Sequence, residues 1–290
     1  MSSFLPPRPL VGIGLMVLAM AIMPFIDVLA KILGRDGLPI LVVVWARAAF
    51  GAAMTLPFAL MAQGRTALWP DRPGLHLARA LMLFTATGFF FTALIYLPIA
   101  DALAIFFINP LVVTVLSALV LRERVGPRRW AAVAVGFVGM LIIVRPGLVA
   151  VNAGTVYALL SGICLGSYFV MTRAMAGAAN ANVLTFQTNA FGAVLMLAAL
   201  PFVWVPPAPH QWLMLAGIGM IATLGHILIT KAYEQAEASL LAPLAFTEMV
   251  MATVVGWWFF NDLPDRWTGV GVAILIGSAI YISVRERRAG

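Results

Sequence analysis

Four ionisable side chains, Asp27, Arg47, His226 and Glu248, stand in stretches of this chain that are otherwise almost free of charge. An ionised group at the centre of a hydrocarbon layer costs about 2.5–3.5 kcal/mol on insertion scales, so such groups face an interior, find a partner or draw in water. Together they suit recognition of a zwitterion. Arg47 either attracts a carboxylate or ties helices by binding a carbonyl. Glu248 receives an ammonium or a coupling proton, or makes a protonated helix contact. His226 is a hydrogen-bonded interior residue or a proton relay, with the ordinary titration range of a pH sensor. Asp27 and Lys31 stand four residues apart, a spacing that predicts a salt bridge within one helix. The amides of Asn109, Gln187 and Asn189 bind a zwitterion or serve as interhelical glue. Rings are plentiful within the apolar blocks: Phe84, Phe89, Phe90, Phe91, Tyr96, Phe106, Phe107, Tyr168 and Phe169. A cavity built of such rings suits apolar and aromatic side chains, and the remaining rings face lipid.

Other chemistries find no support. The single Cys164 and the scattered His76, His210 and His226 give no disulfide within the chain and no metal cluster. No Gly-Lys phosphate loop is present, so nothing couples this chain to ATP. No paired-carboxylate metal motif occurs, and neither an enzyme nor a cofactor is expected.

The elements that hold these residues are membrane helices. The chain has 290 residues, 63% hydrophobic and 10% charged, with a mean hydropathy of +1.02. A soluble surface ordinarily needs about 25% charged residues, so the solvent here is hydrocarbon and the partner is the lipid bilayer. Long apolar blocks select helices over a barrel. Ten blocks are read, at 10–33, 38–62, 75–96, 101–121, 128–145, 153–175, 182–204, 211–232, 239–260 and 265–284. The first is read as a retained helix, since Pro24 and Asp27 do not suit a cleaved leader. Short turns such as Gly126-Pro127 join the blocks. The net charge of +7 sits between blocks, where topology and anionic headgroups explain it better than nucleic acid does.

Proline interrupts the fourth block at Pro110, which deprives the carbonyl of Phe106 of its usual donor. Pro24 and Pro243 are read as further helix breaks. The stretch from Tyr96 to Trp130 has an echo from Tyr233 to Trp267. A shift of 137 places Gly88 on Gly225, Tyr96 on Tyr233 and Trp130 on Trp267, and a shift of 142 places Gly12 on Gly154 and Lys31 on Arg173. Two repeats of five helices are therefore expected, over 10–145 and 153–284. Five is odd, so the second repeat enters the membrane from the other side. With both termini on one side, that side collects thirteen basic residues, including Arg79 and the four arginines between 122 and 129. Only Lys31, Arg35, Arg145 and Arg266 lie on the other. The excess marks the cytoplasm and places both termini there. Trp69, Trp130, Trp204, Trp212 and Trp267 read as interface anchors. The small-residue runs Gly136–Gly139 and Gly269–Gly271 permit close helix contact within one subunit or between two, so the oligomeric state stays open.

Trp45-Ala46-Arg47 with Phe50-Gly51, the turn from Tyr96 to Ala102, Arg122-Glu123-Arg124 followed by Trp130, Gly136 and Gly139, and Tyr233 with Ala242-Pro243-Leu244 and Glu248 together resemble the EamA-type branch of the drug/metabolite transporter superfamily. Asn261-Asp262 departs from the Gly-Glu pair common there, which puts a role for that acid in doubt. Within the branch the chain is most similar to bacterial exporters of aromatic and other amino acids. The resemblance implies an all-α integral membrane fold of ten spans around a central cavity lined by spans one, three, four, six, eight and nine. It implies export of neutral amino acids from the cytoplasm by alternating access in a bacterial inner membrane, driven by the substrate gradient or by protons. Another small metabolite or drug is the alternative, and a non-transporting scaffold a remote one. The candidates for substrate binding are Arg47, Phe84, Phe89, Tyr96, Asn109, Tyr168, His226 and Glu248, with Pro24, Pro110 and Pro243 as hinges.

Overall fold

A computed structural model describes residues 9–120, 122, 126–144, 152–175, 180–235, 241, 244 and 247–287. Among them the chain is helical throughout, without a strand. In chain order the helices are α1 (Pro9–Ile22), α2 (Pro24–Arg35), α3 (Ile40–Gln63), α4 (Pro73–Tyr96), α5 (Ile99–Phe106), α6 (Asn109–Leu119), α7 (Pro127–Val144), α8 (Ala153–Ala174), α9 (Ala181–Leu197), α10 (Leu200–Val203), α11 (Pro209–Gln235), α12 (Thr247–Phe260) and α13 (Arg266–Arg287). Every block read from the sequence holds at least one of them. Proline opens or nearly opens α2, α4 and α6, where its missing N–H costs nothing. Gly64 ends α3 at φ 61°, a conformation that glycine adopts without penalty. Asn180 caps α9 by accepting from the N–H of Asn182.

Among the described residues, six stretches are long and apolar enough to cross a bilayer: Pro9–Arg35, Ile40–Leu68, Pro73–Tyr96, Ile99–Leu119, Ala153–Thr172 and Pro209–Ile229. Of the other four blocks, the fifth and tenth form continuous helices of 18 and 22 residues, and the seventh and ninth form shorter or interrupted ones among the described residues. α9 stops at Leu197, two residues before the short α10, and α12 has only 14 residues. A 14-residue helix rises about 21 Å, short of a hydrocarbon core of about 30 Å. Two of the six stretches are themselves broken. The first bends at Met23, between α1 and α2, and the fourth at Phe107–Ile108, between α5 and α6. The third expected break, Pro243, lies outside the described residues, as do Glu123 and Arg145.

The main contacts join the two halves. α4 packs on α8, α3 on α9, α7 on α13, α1 and α2 on α11, and α5 on α12. Numbered by block, these are three with six, two with seven, five with ten, one with eight and four with nine. Exchanging the halves maps this set onto itself, which is the pairing an internal two-fold axis generates. The fifth and tenth blocks meet through glycine. A Cβ on Gly139 would stand 3.0 Å from the carbonyl oxygen of Gly271, and one on Gly271 would stand 2.6 Å from that of Gly139. These two small-residue runs therefore pack against each other within one chain. The main core joins Val42, Val43 and Val44 of α3 and Leu94 of α4 with Leu215 and Ile218 of α11. All five tryptophans read as interface anchors are exposed.

Candidate functional site

Two carboxylates lie in the first turns of described helices. Asp27 is in the first turn of α2 and Glu248 in the first turn of α12. A helix N-terminus carries roughly half a positive charge, which favours a carboxylate there. Glu248 lies in the first turn of the described part of the ninth block. Asp27 has Glu248 and Arg47 as electrostatic neighbours, and His226 has Arg47. Arg47 in turn feels Asp27 and Tyr168. α2, α3, α8, α11 and α12 thus converge on one charged centre. Asp27 is buried, Arg47 and Glu248 are half-buried and His226 is exposed, although all belong to apolar helices. The packing of α2, α3, α11 and α12 on one another brings the elements that carry these four groups together.

Arg47 is held in place. Its Nη1 donates to Oγ1 of Thr87 at 2.6 Å, and its guanidinium lies 5.9 Å from the centre of the Phe84 ring. Phe84 is only 3% exposed, and its ring presses on Gly192. It serves as a buried platform for Arg47, not as an open wall. Thr87 escaped the sequence reading because a threonine in an apolar helix carries no signal of its partner.

Asn109 has a structural use. Its Nδ2 donates to the carbonyl of Phe106 at 3.1 Å, the acceptor left empty by Pro110. Gly162 and Gly166 of α8 press on this break, a Cβ on Gly162 standing 2.7 Å from that same carbonyl oxygen. Phe89 and Tyr96 form a separate stack. Phe89 lies 6.0 Å from Tyr157 and Tyr157 6.2 Å from Tyr96, both pairs nearly parallel. Tyr157 completes this ladder between α4 and α8 and was not anticipated. Gln187 donates to the carbonyl of Ala67 at 2.9 Å, and the Asn189 amide rests against Gly51; both are helix contacts.

Two expectations about charge are corrected. Lys31 does not pair with Asp27. Its Nζ meets Oδ2 of Asp262 and donates to the carbonyl of Leu97, each at 2.9 Å, and lies 4.8 Å from the centre of the Phe260 ring. Lys31 is 2% exposed. The latch joins α2 to the α4–α5 turn and to the segment after α12, so Asp262 has a partner after all. Asn261 beside it takes φ 56°, a left-handed conformation that asparagine tolerates, so it fills a glycine's position. Arg79, counted in the sequence among the charges of the cytoplasmic side, is buried within its helix. It is 1% exposed inside α4, donates to the carbonyl of Leu184 at 3.0 Å and to Thr188, and lies 5.4 Å from the centre of the Tyr168 ring. His76, one turn earlier, is also buried and stacks on Phe191. Tyr168 therefore stands between Arg79 and the electrostatic reach of Arg47.

The model of the EamA-like transporter family matches this chain twice, over residues 10–145 and 152–284. The chain belongs to the EamA-like transporter family. Its relatives within the drug/metabolite transporters span almost the whole chain. The S-adenosylmethionine uptake transporter of Rickettsia bellii is 27% identical over 96% of this chain and 95% of its own length. The pseudopaline exporter of Pseudomonas aeruginosa is 28% identical over 94% and 95%. The riboflavin transporter of Vibrio cholerae is 28% identical over 87% and 85%. A solved crystal structure superposes with a TM-score of 0.66 at 19% identity, covering 97% of both chains, which shows the shared fold. The family makes the chain a multi-pass membrane protein of a transporter class. The narrower resemblance to amino-acid exporters is not confirmed by these relatives, whose names point to other small metabolites and to both uptake and export.

Proposed function

We propose that this protein is a secondary transporter of a small zwitterionic metabolite with a second cationic centre, of the S-adenosylmethionine type. The convergence of Asp27, Arg47 and Glu248 carries this reading. A substrate with one carboxylate and two positive centres matches one guanidinium and two carboxylates without leaving a buried charge unpaired. A neutral amino acid would leave one acid over. The relative named for S-adenosylmethionine uptake supports the same class, and the other relatives support a small metabolite more broadly.

Ten spans in two inverted repeats, both termini in the cytoplasm of a bacterial inner membrane, form the frame of this proposal. Alternating access follows if the halves rock about the charged centre, bending at Pro24, Pro110 and Pro243. The Lys31–Asp262 latch then closes the end of the bundle that carries fewer basic residues.

Proteoliposomes test the substrate. Labelled S-adenosylmethionine should exchange across the membrane, and unlabelled S-adenosylmethionine should compete at least about 30-fold better than S-adenosylhomocysteine, which lacks the sulfonium charge; losing one partner of a desolvated charge pair costs about 2 kcal/mol or more. Equal competition by both, or stronger competition by phenylalanine, would return the assignment to amino-acid export. No flux above protein-free vesicles with any of them, or with riboflavin, would remove the transport reading.

A further inference from the structure

A groove lies between α6 and α7, away from the charged centre. Ile108, Leu111, Val112, Val115 and Leu116 form one wall, and Trp130, Ala134 and Phe137 form the other. The spacing on each wall is that of a single helix face. The volume is about 470 Å³, and the lining is apolar apart from the indole of Trp130. From Ile108 at the helix break to Leu116 the wall rises about 12 Å, close to the roughly 15 Å depth of one leaflet's hydrocarbon. Trp130 stands at the mouth, where an indole sits at the headgroup level.

The sequence beside that mouth is strongly basic. Residues 122–129 hold four arginines, Arg122, Arg124, Arg128 and Arg129, and a single acid, Glu123. Arg122 is exposed at φ 54°, and residues 128 and 129 open α7. We propose that the groove is a binding site for an anionic phospholipid, with one acyl chain between α6 and α7 and its phosphate attracted by the basic residues that precede Trp130 in the sequence. A leaflet-deep apolar slot ending in cations has the shape and charge of one such lipid. A second copy of the chain fits poorly. A two-fold contact would set the same patch against itself and bring both arginine stretches together.

Purified protein is titrated with short-chain phosphatidylglycerol and, separately, with phosphatidylcholine of equal chain length, and binding is read by native mass spectrometry and by the shift in melting temperature. Phosphatidylglycerol should bind as a discrete adduct and raise the melting temperature, while phosphatidylcholine does neither. Arg128→Gln with Arg129→Gln should weaken binding about 30-fold, each arginine near a lipid surface contributing about 1 kcal/mol. Ala134→Trp, which fills the slot, should abolish the adduct. Should that variant elute as an aggregate, Val115→Phe on the facing wall serves instead. Equal binding of both lipids would overturn the proposal, as would an adduct unchanged in the arginine pair or a dimer lost in Ala134→Trp.

Discussion

A lysine with 2% exposure survives in this bundle only because two oxygens meet its ammonium, one from Asp262 and one from the backbone of Leu97. Removing Asp262, which is itself 26% exposed, leaves the buried ammonium with the Leu97 carbonyl and the Phe260 ring but no counter-charge. Asp262→Ala should therefore destabilise the protein by about 1.5–3 kcal/mol, seen as a lower melting temperature in detergent. Lys31→Met with Asp262→Leu should recover most of that loss, because the apolar pair carries no desolvation penalty. At the charged centre, Thr87→Val takes away the acceptor of Arg47 while keeping the side-chain volume. It should cost about 1.5–3 kcal/mol of substrate binding if Arg47 must be aimed by Thr87, read as a raised KM in vesicle transport. An unchanged KM would show that the Phe84 platform alone orients the guanidinium.

The broken helices are held by neighbours that were cut to fit them. Pro110 frees a carbonyl, Asn109 answers it, and the two glycines of α8 let that helix lie against the break. Gly162→Val would drive two methyl groups into the Phe106 carbonyl and Ile108. It should destabilise by at least about 1–3 kcal/mol, the usual range for overpacking, whereas Gly74→Val, beside open space, should cost far less. Thermal melts of the two variants separate a packing requirement from a general intolerance of valine in place of glycine. The break at Met23 is served in the same way, with Gly225 of α11 against the Met23 side chain.

Across the whole molecule, the self-mapping of block pairs ties the charged centre to the latch. If the halves rock, the contacts of α2 with the α4–α5 turn and with the segment after α12 must open in one state. A chain carrying Cys164→Ala, Lys31→Cys and Asp262→Cys, joined by a short bifunctional thiol reagent, should bind substrate but lose exchange, while the unlinked variant keeps it. Continued exchange after complete cross-linking would separate the latch from transport. The sidedness read from thirteen basic residues against four predicts that tags at the two termini respond alike to a membrane-impermeant protease, both protected in intact cells and both cut in inverted vesicles.

Much of the frame was legible in the chain itself. Apolar block length, set by the thickness of hydrocarbon, marked where helices stand, and proline marked two of the interruptions, since both follow from the backbone alone. The spacing of Asp27, Arg47, His226 and Glu248 within uncharged stretches was equally visible, because charge in hydrocarbon is rare. Partners were not visible. Asp27 and Lys31 share a helix and a favourable spacing, yet Lys31 turns to an acid 231 residues away, since that oxygen and the Leu97 carbonyl surround it while Asp27 faces Arg47 and Glu248. Arg79 was counted with the charges of one membrane side because it stands near a block end, and only the packing of α8 and α9 over α4 buries it. Composition and periodicity record what each residue tolerates. Which atoms complete its hydrogen bonds is decided when distant helices close around it.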